Sequence, residues 1–518
     1  MGVGRQRRGP TVLVAAGMMA AMVTGGSTPD PRRWRALAVC LTALAMTLVD
    51  ATVINVALPS IGAGLGADPS ELLWVVAGYA LAFGMVPVLG GRLGDDLGRR
   101  RVLLTGVAAF VVTSAAVGLA PTAGVLIAAR VLQGISGGII NPQVSGIIQS
   151  LFSGEERGRA FGALGASVGL ATAAGPVIGG LVIGAVGPTY GWRATFLVNV
   201  PIGTVSFLLC RRLLPSRAPV ARAPARLDLP GLALLSTGLF AVLYPTIQFD
   251  SSRDPWLALW WLPAAGLLTA FAVWERGPAR RRGQPLVDTG LFAIRSYSAG
   301  LGLALLYFSA YAGLPLVLAL YLQDGLGLTP LASGLTASAY AVGAGVSAPV
   351  AGRFVARLGR RLIVAALVLF VTGVGVLAAV ALLAERGGVG SVPWLLAGPL
   401  FLAGLGGGAV ITPNQALSLA RVDARGGSTA GGMLQTAQRI GSATGAAVLS
   451  AVFYAGLRSG GGSDGTGAGT RDTYSGAFAI AAGGTVALAL LALVVAVVDA
   501  RAENAARAGG GPTSALSG

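Results

Sequence analysis

The chain has 518 residues, 54% of them hydrophobic and only 11% charged, with 80 glycines and a mean hydropathy of +0.75. This composition excludes a soluble protein folded around one large core and describes a chain that crosses a membrane many times. The net charge of +17 could suit a nucleic-acid binder, but all 37 basic residues are arginine and they gather in alternate interhelical loops, which excludes that partner.

Residues 1–34 open with Arg5, Arg7 and Arg8 and an apolar run from Thr11 to about Gly26, like a signal peptide. Asp30, Pro31, Arg32 and Arg33 then follow with no A-x-A cleavage site, so the stretch reads as a cytoplasmic extension or a misplaced start. About 20 apolar residues span the hydrocarbon of a bilayer. Fourteen such spans follow: 35–59, 73–91, 102–120, 122–150, 161–187, 194–214, 231–249, 256–274, 300–322, 332–352, 362–384, 393–420, 428–456 and 475–498.

Orientation follows from the arginines. With the N-terminus inside, 30 fall in cytoplasmic loops and tails. Outer loops hold Arg193, Arg253, Arg386, Arg458 and Arg471, while Arg130 and Arg439 lie within helices. By the positive-inside rule both termini are cytoplasmic, in a multi-pass protein of the inner (cytoplasmic) membrane. Trp74, Trp192, Trp256, Trp260, Trp261 and Trp394 fall near outer helix ends, as an interfacial belt would place them. Cys40 and Cys210 occupy different spans, and no disulfide framework is expected.

In the first span, "LVDATVINVALP" puts Asp50 inside the membrane, where a charge costs roughly 2.5–3.5 kcal/mol at a helix centre. Two readings stand: a carboxyl that alternately binds and releases a proton, or one that only hydrogen-bonds a neighbouring helix. In the fourth span, "RVLQGISGGIIN" places Arg130 on one helix face with Gly134, Gly137, Gly138 and Asn141. That arginine is either a fixed charge beside a proton site or a snorkelling surface group. In the fifth, "ATAAGPVIGG" carries Gly175, Pro176, Gly179 and Gly180, from which a kink lining a cavity is expected, a structural kink being the alternative. The thirteenth has a stripe of Gly431, Gln435, Gln438, Ser442 and Gly445 flanked by Arg439, which lines a cavity or links helices. Of the other acids, Asp324 in "YLQDGLGLTP" lies at a helix end.

"GRLGDDLGRR" (91–100) returns 261 residues on as "GRFVARLGRR" (352–361). The chain is therefore an all-α polytopic membrane protein of two six-helix halves, 35–214 and 300–498, around a linker with two inserted helices, 215–299, and ends in a cytoplasmic tail, 499–518. The copies are unequal: Asp95 becomes Ala356, and the region aligned with Arg130 is apolar around Leu400. No cluster supports an enzyme. There is no His, the two Cys are distant, "GLGGGAV" from Gly404 lies in an apolar span, and no Walker A pattern occurs, so no cofactor is expected and energy must come from an ion gradient.

Together these residues resemble the major facilitator superfamily, and within it the fourteen-helix drug:proton antiporters of the EmrB/QacA type, over roughly residues 35–500. "GRLGDDLGRRRVL" resembles the superfamily's loop between helices two and three, implying that Gly91, Asp95, Gly98, Arg99 and Arg100 form a cytoplasmic gate. "RVLQG" is similar to the helix-four motif associated with proton transfer, with Arg130 in that role, and "GPVIGG" to the helix-five motif associated with export. "DATVINVALP", with Asp50, Thr52, Asn55 and Pro59, and "WRATFLVNVPIG" (192–203) look like signatures of the fourteen-helix branch. Asp96 stands where the loop motif usually has a basic residue, and Ala171 replaces the first glycine of the helix-five motif. Relatives that export cationic dyes often have further membrane acids; their scarcity here implies a narrower range, or a neutral or weakly anionic substrate answered by Arg439.

The expectation is proton-coupled efflux of a small amphipathic drug or antibiotic by alternating access in a monomer. Asp50 and Arg130 would carry the coupling, and Asn55, Gln133, Asn141, Gln435, Gln438, Arg439 and Ser442 would line the cavity. A proton-coupled nutrient importer, and a non-transporting sensor or membrane enzyme, are the alternatives.

Overall fold

The structure, a computed structural model, describes residues 32–215, 228–252, 259–277, 286–383, 392–459 and 471–508. The signal-like stretch, Arg253, Trp256 and Arg386 lie outside them. Among the described residues there are helices and connecting turns but no strand.

The first half holds α1 (Arg33–Leu65), α2 (Pro69–Met85), α3 (Pro87–Leu97), α4 (Arg99–Gly118), α5 (Ala123–Leu151), α6 (Gly154–Val186), α7 (Pro188–Leu197) and α8 (Asn199–Leu213). The inserted pair is α9 (Leu229–Ser252) and α10 (Trp261–Arg276). The second half holds α11 (Arg295–Leu320), α12 (Pro330–Leu358), α13 (Arg360–Leu383), α14 (Val392–Ser418), α15 (Gly427–Ser459) and α16 (Arg471–Ala508). Among the described residues, helix is found within each of the fourteen predicted spans. Ten among the described residues are long and apolar enough to cross a membrane, or eleven if α2 and α3 count as one. The shortfall has local causes: α10 has only 16 residues, and α12 is diluted by Ala, Gly and Ser.

Local chemistry sets the boundaries. Asp68 caps α2 through a reciprocal box, its Oδ1 accepting from the Glu71 N–H at 2.8 Å while Glu71 Oε2 accepts from the Asp68 N–H at 3.1 Å, with Pro69 in the first turn. The predicted span 73–91 is bent by 46° between Met85 and Pro87, where proline removes a backbone donor. Span 194–214 is likewise joined from α7 and α8 across Val198. By contrast α6 runs as one helix through Pro176, whose ring is exposed.

One expectation is corrected by packing. Trp192 is fully buried beneath α1 at Gly64 and is no part of an interfacial belt, whereas Trp394 is 83% exposed. Cys40 of α1 and Cys210 of α8, distant in sequence, lie as free thiols in one buried cluster.

The two halves touch at the end of the bundle that carries the arginine-rich loops, here termed the basic face. There α6 meets α12 through glycine: a Cβ at Gly162 would lie 3.2 Å from the Gly352 Cα, and one at Gly169 3.7 Å from the Gly345 Cα. The helices α3 and α5 meet α15 on the other side. The inserted α9 packs on α10 and leans across the seam between halves, with Leu243 against Gly84 of α2, Tyr244 stacked on Trp74 at 6.1 Å, and Val242 clustered with Ile440 of α15.

Candidate functional site

Asp50 sits at mid-length in α1 with no exposed surface. Its Oδ2 is 2.5 Å from Nη1 of Arg130 on α5, and its Oδ1 accepts from Gln133 Nε2 at 3.0 Å and from Asn199 Nδ2, on α8, at 2.8 Å. Gln133 joins the partners: its Oε1 accepts from Arg130 Nη1 at 2.7 Å, and its Nε2 also donates to Ser114 Oγ of α4 at 2.7 Å. Arg130 further donates through Nε to the Val75 carbonyl at 3.3 Å, and its guanidinium lies 4.2 Å from the Tyr79 ring centroid and 5.5 Å from that of Phe196. The Tyr79 hydroxyl closes the circuit by donating to the Thr47 carbonyl at 2.9 Å. Six helices thus converge on one ion pair whose carboxylate receives only donors, the arrangement that makes an intramembrane charge tolerable.

The sequence had marked Asp50 and Arg130 as partners and Gln133 as cavity lining; the structure places Gln133 inside the buried ion-pair network. Asn199, Ser114 and Tyr79 were not singled out. Asn199 lay within "WRATFLVNVPIG", where a lone amide in an apolar run was the available signal.

The GPVIGG segment bears on the same place. A methyl at Gly175 would collide with Thr52 of α1, and one at Gly179 would come within 2.7 Å of Val53 Cγ2, so these glycines set α6 against α1 two and three residues beyond Asp50. Gly180 is exposed and open on its α-carbon, and Pro176 faces outward.

At the basic face, Asp95 of α3 forms a 2.8 Å salt bridge with Arg99 and accepts from the start of α15 in the opposite half: the Ser428 N–H at 3.2 Å, and the Thr429 N–H and hydroxyl at 2.8 Å each. A carboxylate at a helix N-terminus satisfies amides that the helix leaves open and complements its dipole. Arg99 also donates to the Gly146 carbonyl at 2.5 Å and to that of Ala424, and Arg100 donates to Arg211 at the end of α8. Gly91 lets the two backbones approach, since a methyl there would strike the Ser428 carbonyl, and Gly98 turns the chain at φ 98°, a region that favours glycine. Asp96 pairs with Arg92 at 2.8 Å. The second copy of the loop is built differently. Arg360 pairs with Asp499 within its own half at 2.8 Å, and the counterpart of the α15 contact is the α6 start, where Gly158 meets Gly352 and exposed Arg357 lies 3.8 Å from Glu155.

The predicted cavity residues divide. Gln435 Nε2 donates to Asn141 Oδ1 at 3.0 Å, tying α15 to α5. Gly431 packs on Ser145 and Gly445 on the Ser309 backbone, so the stripe is not a continuous lining. Gln438, Arg439 and Ser442 stay half-buried, and Asn55 is exposed on α1. Arg439 lies with its guanidinium 4.6 Å from the Phe83 ring centroid.

The chain belongs to the Major Facilitator Superfamily, whose pattern it matches over residues 35–275 and 299–517. It is 37% identical to the probable actinorhodin transporter of Streptomyces coelicolor over 83% of this chain and 74% of that protein, and 35% identical to the puromycin resistance protein pur8 of Streptomyces alboniger over 93% and 94%. Among solved structures, that of the human organic anion transporter MFSD10 matches with a TM-score of 0.59 at 19% identity, covering 91% of this chain and all of that one, a likeness of fold alone.

Proposed function

We propose that this transporter exports amphipathic compounds of the antibiotic type across the cytoplasmic membrane in exchange for protons, as a monomer of the fourteen-helix EmrB/QacA branch with both termini and the basic face in the cytoplasm. The observation that carries this reading is the Asp50–Arg130 pair: a fully buried carboxylate whose partners are all donors and whose protonation would dissolve the ion pair. The names of the two Streptomyces relatives, a transporter of one antibiotic and a resistance protein for another, support the efflux part.

In this mechanism Asp50 takes a proton from the outer side while the cytoplasmic gate is shut. Arg130, losing its counter-ion, turns to its remaining partners Gln133 and the Val75 carbonyl. Because Gly175 and Gly179 seat α6 against α1 beside Asp50, rearrangement there is passed to α6 and so to its seam with α12. The gate held by Asp95, Arg99 and the α15 N-terminus then opens, Asp50 discharges its proton inward, and substrate enters the space between the halves.

The test is proton movement in inside-out vesicles with an acid interior, on adding a panel of antibiotics and dyes to wild type and to Asp50→Asn. Proton release that requires both a compound and wild-type Asp50 is expected; equal responses from the two proteins would remove Asp50 from the coupling step.

A further inference from the structure

We infer that the substrate is an aromatic organic anion, a planar ring system bearing an ionised carboxylate or phenolate, and that Arg439 is its anchor; the inference rests on the efflux reading above. Arg439 projects from the middle of α15 where the halves face one another: its stem passes 3.9 Å from where a Cβ of Gly84 would be, and its guanidinium stacks on Phe83, both on α2. Among the described residues no carboxylate lies within salt-bridge distance of it. Asp50 is committed to Arg130, and Asp324 is exposed in the turn at the end of α11. A cation inside a bundle without a counter-ion is unfavourable. An anionic ligand relieves that deficit, a neutral one leaves it, and a cationic one is repelled.

A tyrosine cluster in the second half supplies the aromatic part of the specificity. Tyr311 of α11 stands 5.7 Å from Tyr340 of α12 and 6.2 Å from Tyr307, in ring centroids, and Tyr307 and Tyr340 share a hydroxyl contact of 3.4 Å. Gly407 of α14 leaves room for both hydroxyls, which a methyl would strike. Tyr311, Tyr340 and Arg439 keep accessible surface although each lies well inside its helix. Rings of this kind stack on planar ligands, and the fork of a guanidinium matches a carboxylate.

The anchor is also close to the ion pair. Tyr79 and Phe83 stack at 5.7 Å and 20°, with Arg130 over the first and Arg439 over the second, so the two guanidiniums clasp one aromatic pair. An anion bound at Arg439 therefore lies two stacked rings from the Arg130–Asp50 pair.

The experiment uses the full chain in lipid nanodiscs and in inside-out vesicles. The probes are 3-hydroxy-2-naphthoate, its methyl ester, and ethidium as a cation; binding is read from probe fluorescence and transport from uptake, for wild type, Arg439→Gln and Arg439→Lys. Wild type should prefer the acid to the ester by about 10-fold or more in Kd, as loss of a charge-assisted bond implies. Arg439→Gln should lose that preference and Arg439→Lys recover part of it, which separates a lost charge from a misfolded protein. Equal Kd for acid and ester in wild type, or a preference that survives in Arg439→Gln, overturns the inference. Uptake of ester or ethidium without the acid overturns it too and leaves efflux standing. If folded wild type moves none of the three, nor any compound of the antibiotic panel, the efflux reading itself fails and takes this inference with it.

Discussion

Replacing Asp50 by alanine strands Arg130 in the bundle without its counter-ion. Breaking a buried ion pair from one side typically costs about 3–5 kcal/mol. Thermal unfolding in detergent should therefore fall further for Asp50→Ala than for Asp50→Asn, and the double variant Asp50→Asn/Arg130→Gln should recover part of the loss. Gln133→Leu, which removes three hydrogen bonds at once, should lower stability by about 1–3 kcal/mol in the same assay. Unchanged melting in either case would mean that water or neighbouring side chains fill the vacated positions. The acid and the arginine were legible in the sequence because charges are rare inside apolar spans. Asn199 and Ser114 were not, since neutral polar residues are common in such helices and only packing decides which of them reach Asp50. The same holds for Trp192, whose place near a helix end says nothing of the covering that α1 gives it.

The bent element α2–α3 presents Gly91 and Asp95 to α15, so bulk at position 91 acts on that contact without touching the ion pair. Gly91→Val should prevent the α3–α15 approach. In a background lacking Cys40 and Cys210, a cysteine replacing Ser145, buried against Gly431, should then be labelled by maleimide several-fold faster than with Gly91 intact. Equal labelling would show that α15 is held by other contacts. At the other end of α2, the Glu71 amide and the Ser70 hydroxyl hold Asp68 below the usual carboxylate range. A carboxyl whose folded pKa is depressed stabilises at neutral pH and ceases to as the pH falls through that pKa. The melting difference between wild type and Asp68→Ala should accordingly vanish in acid. Spans and motif positions were readable from hydropathy and repetition. The 46° bend was not, although Pro87 was in view, because proline within a membrane helix is as compatible with a continuous run, as Pro176 in α6 demonstrates.

At the scale of the whole molecule, the duplicated loop announced two halves and its motif pointed to one place where they meet, but the sequence offered no sign of the glycine contact between α6 and α12 or that α9 lies across their seam. The glycine contact of α6 with α12 can be tested directly. Gly169→Cys combined with Gly345→Cys, in a background lacking Cys40 and Cys210, should form a disulfide that arrests transport until reduced; cross-linked protein that transports at the full rate would show that the halves do not part there. The two inter-half seams also differ in what separation requires. Where Gly158 and Gly162 meet Gly352 the contact is largely backbone with the Val355 side chain beside it and few polar bonds to break, so parting costs little beyond dispersion contact. Where Asp95 meets the start of α15, three hydrogen bonds to one carboxylate must be lost together. In the proposed mechanism one seam would behave as a bearing and the other as a catch, and because Ala356 stands in the place of the aspartate in the second copy, the Asp95 contact has no carboxylate counterpart there. Mutations on the α3–α15 side should thus change how often the protein opens, while those on the α6–α12 side should change how freely it moves once it has.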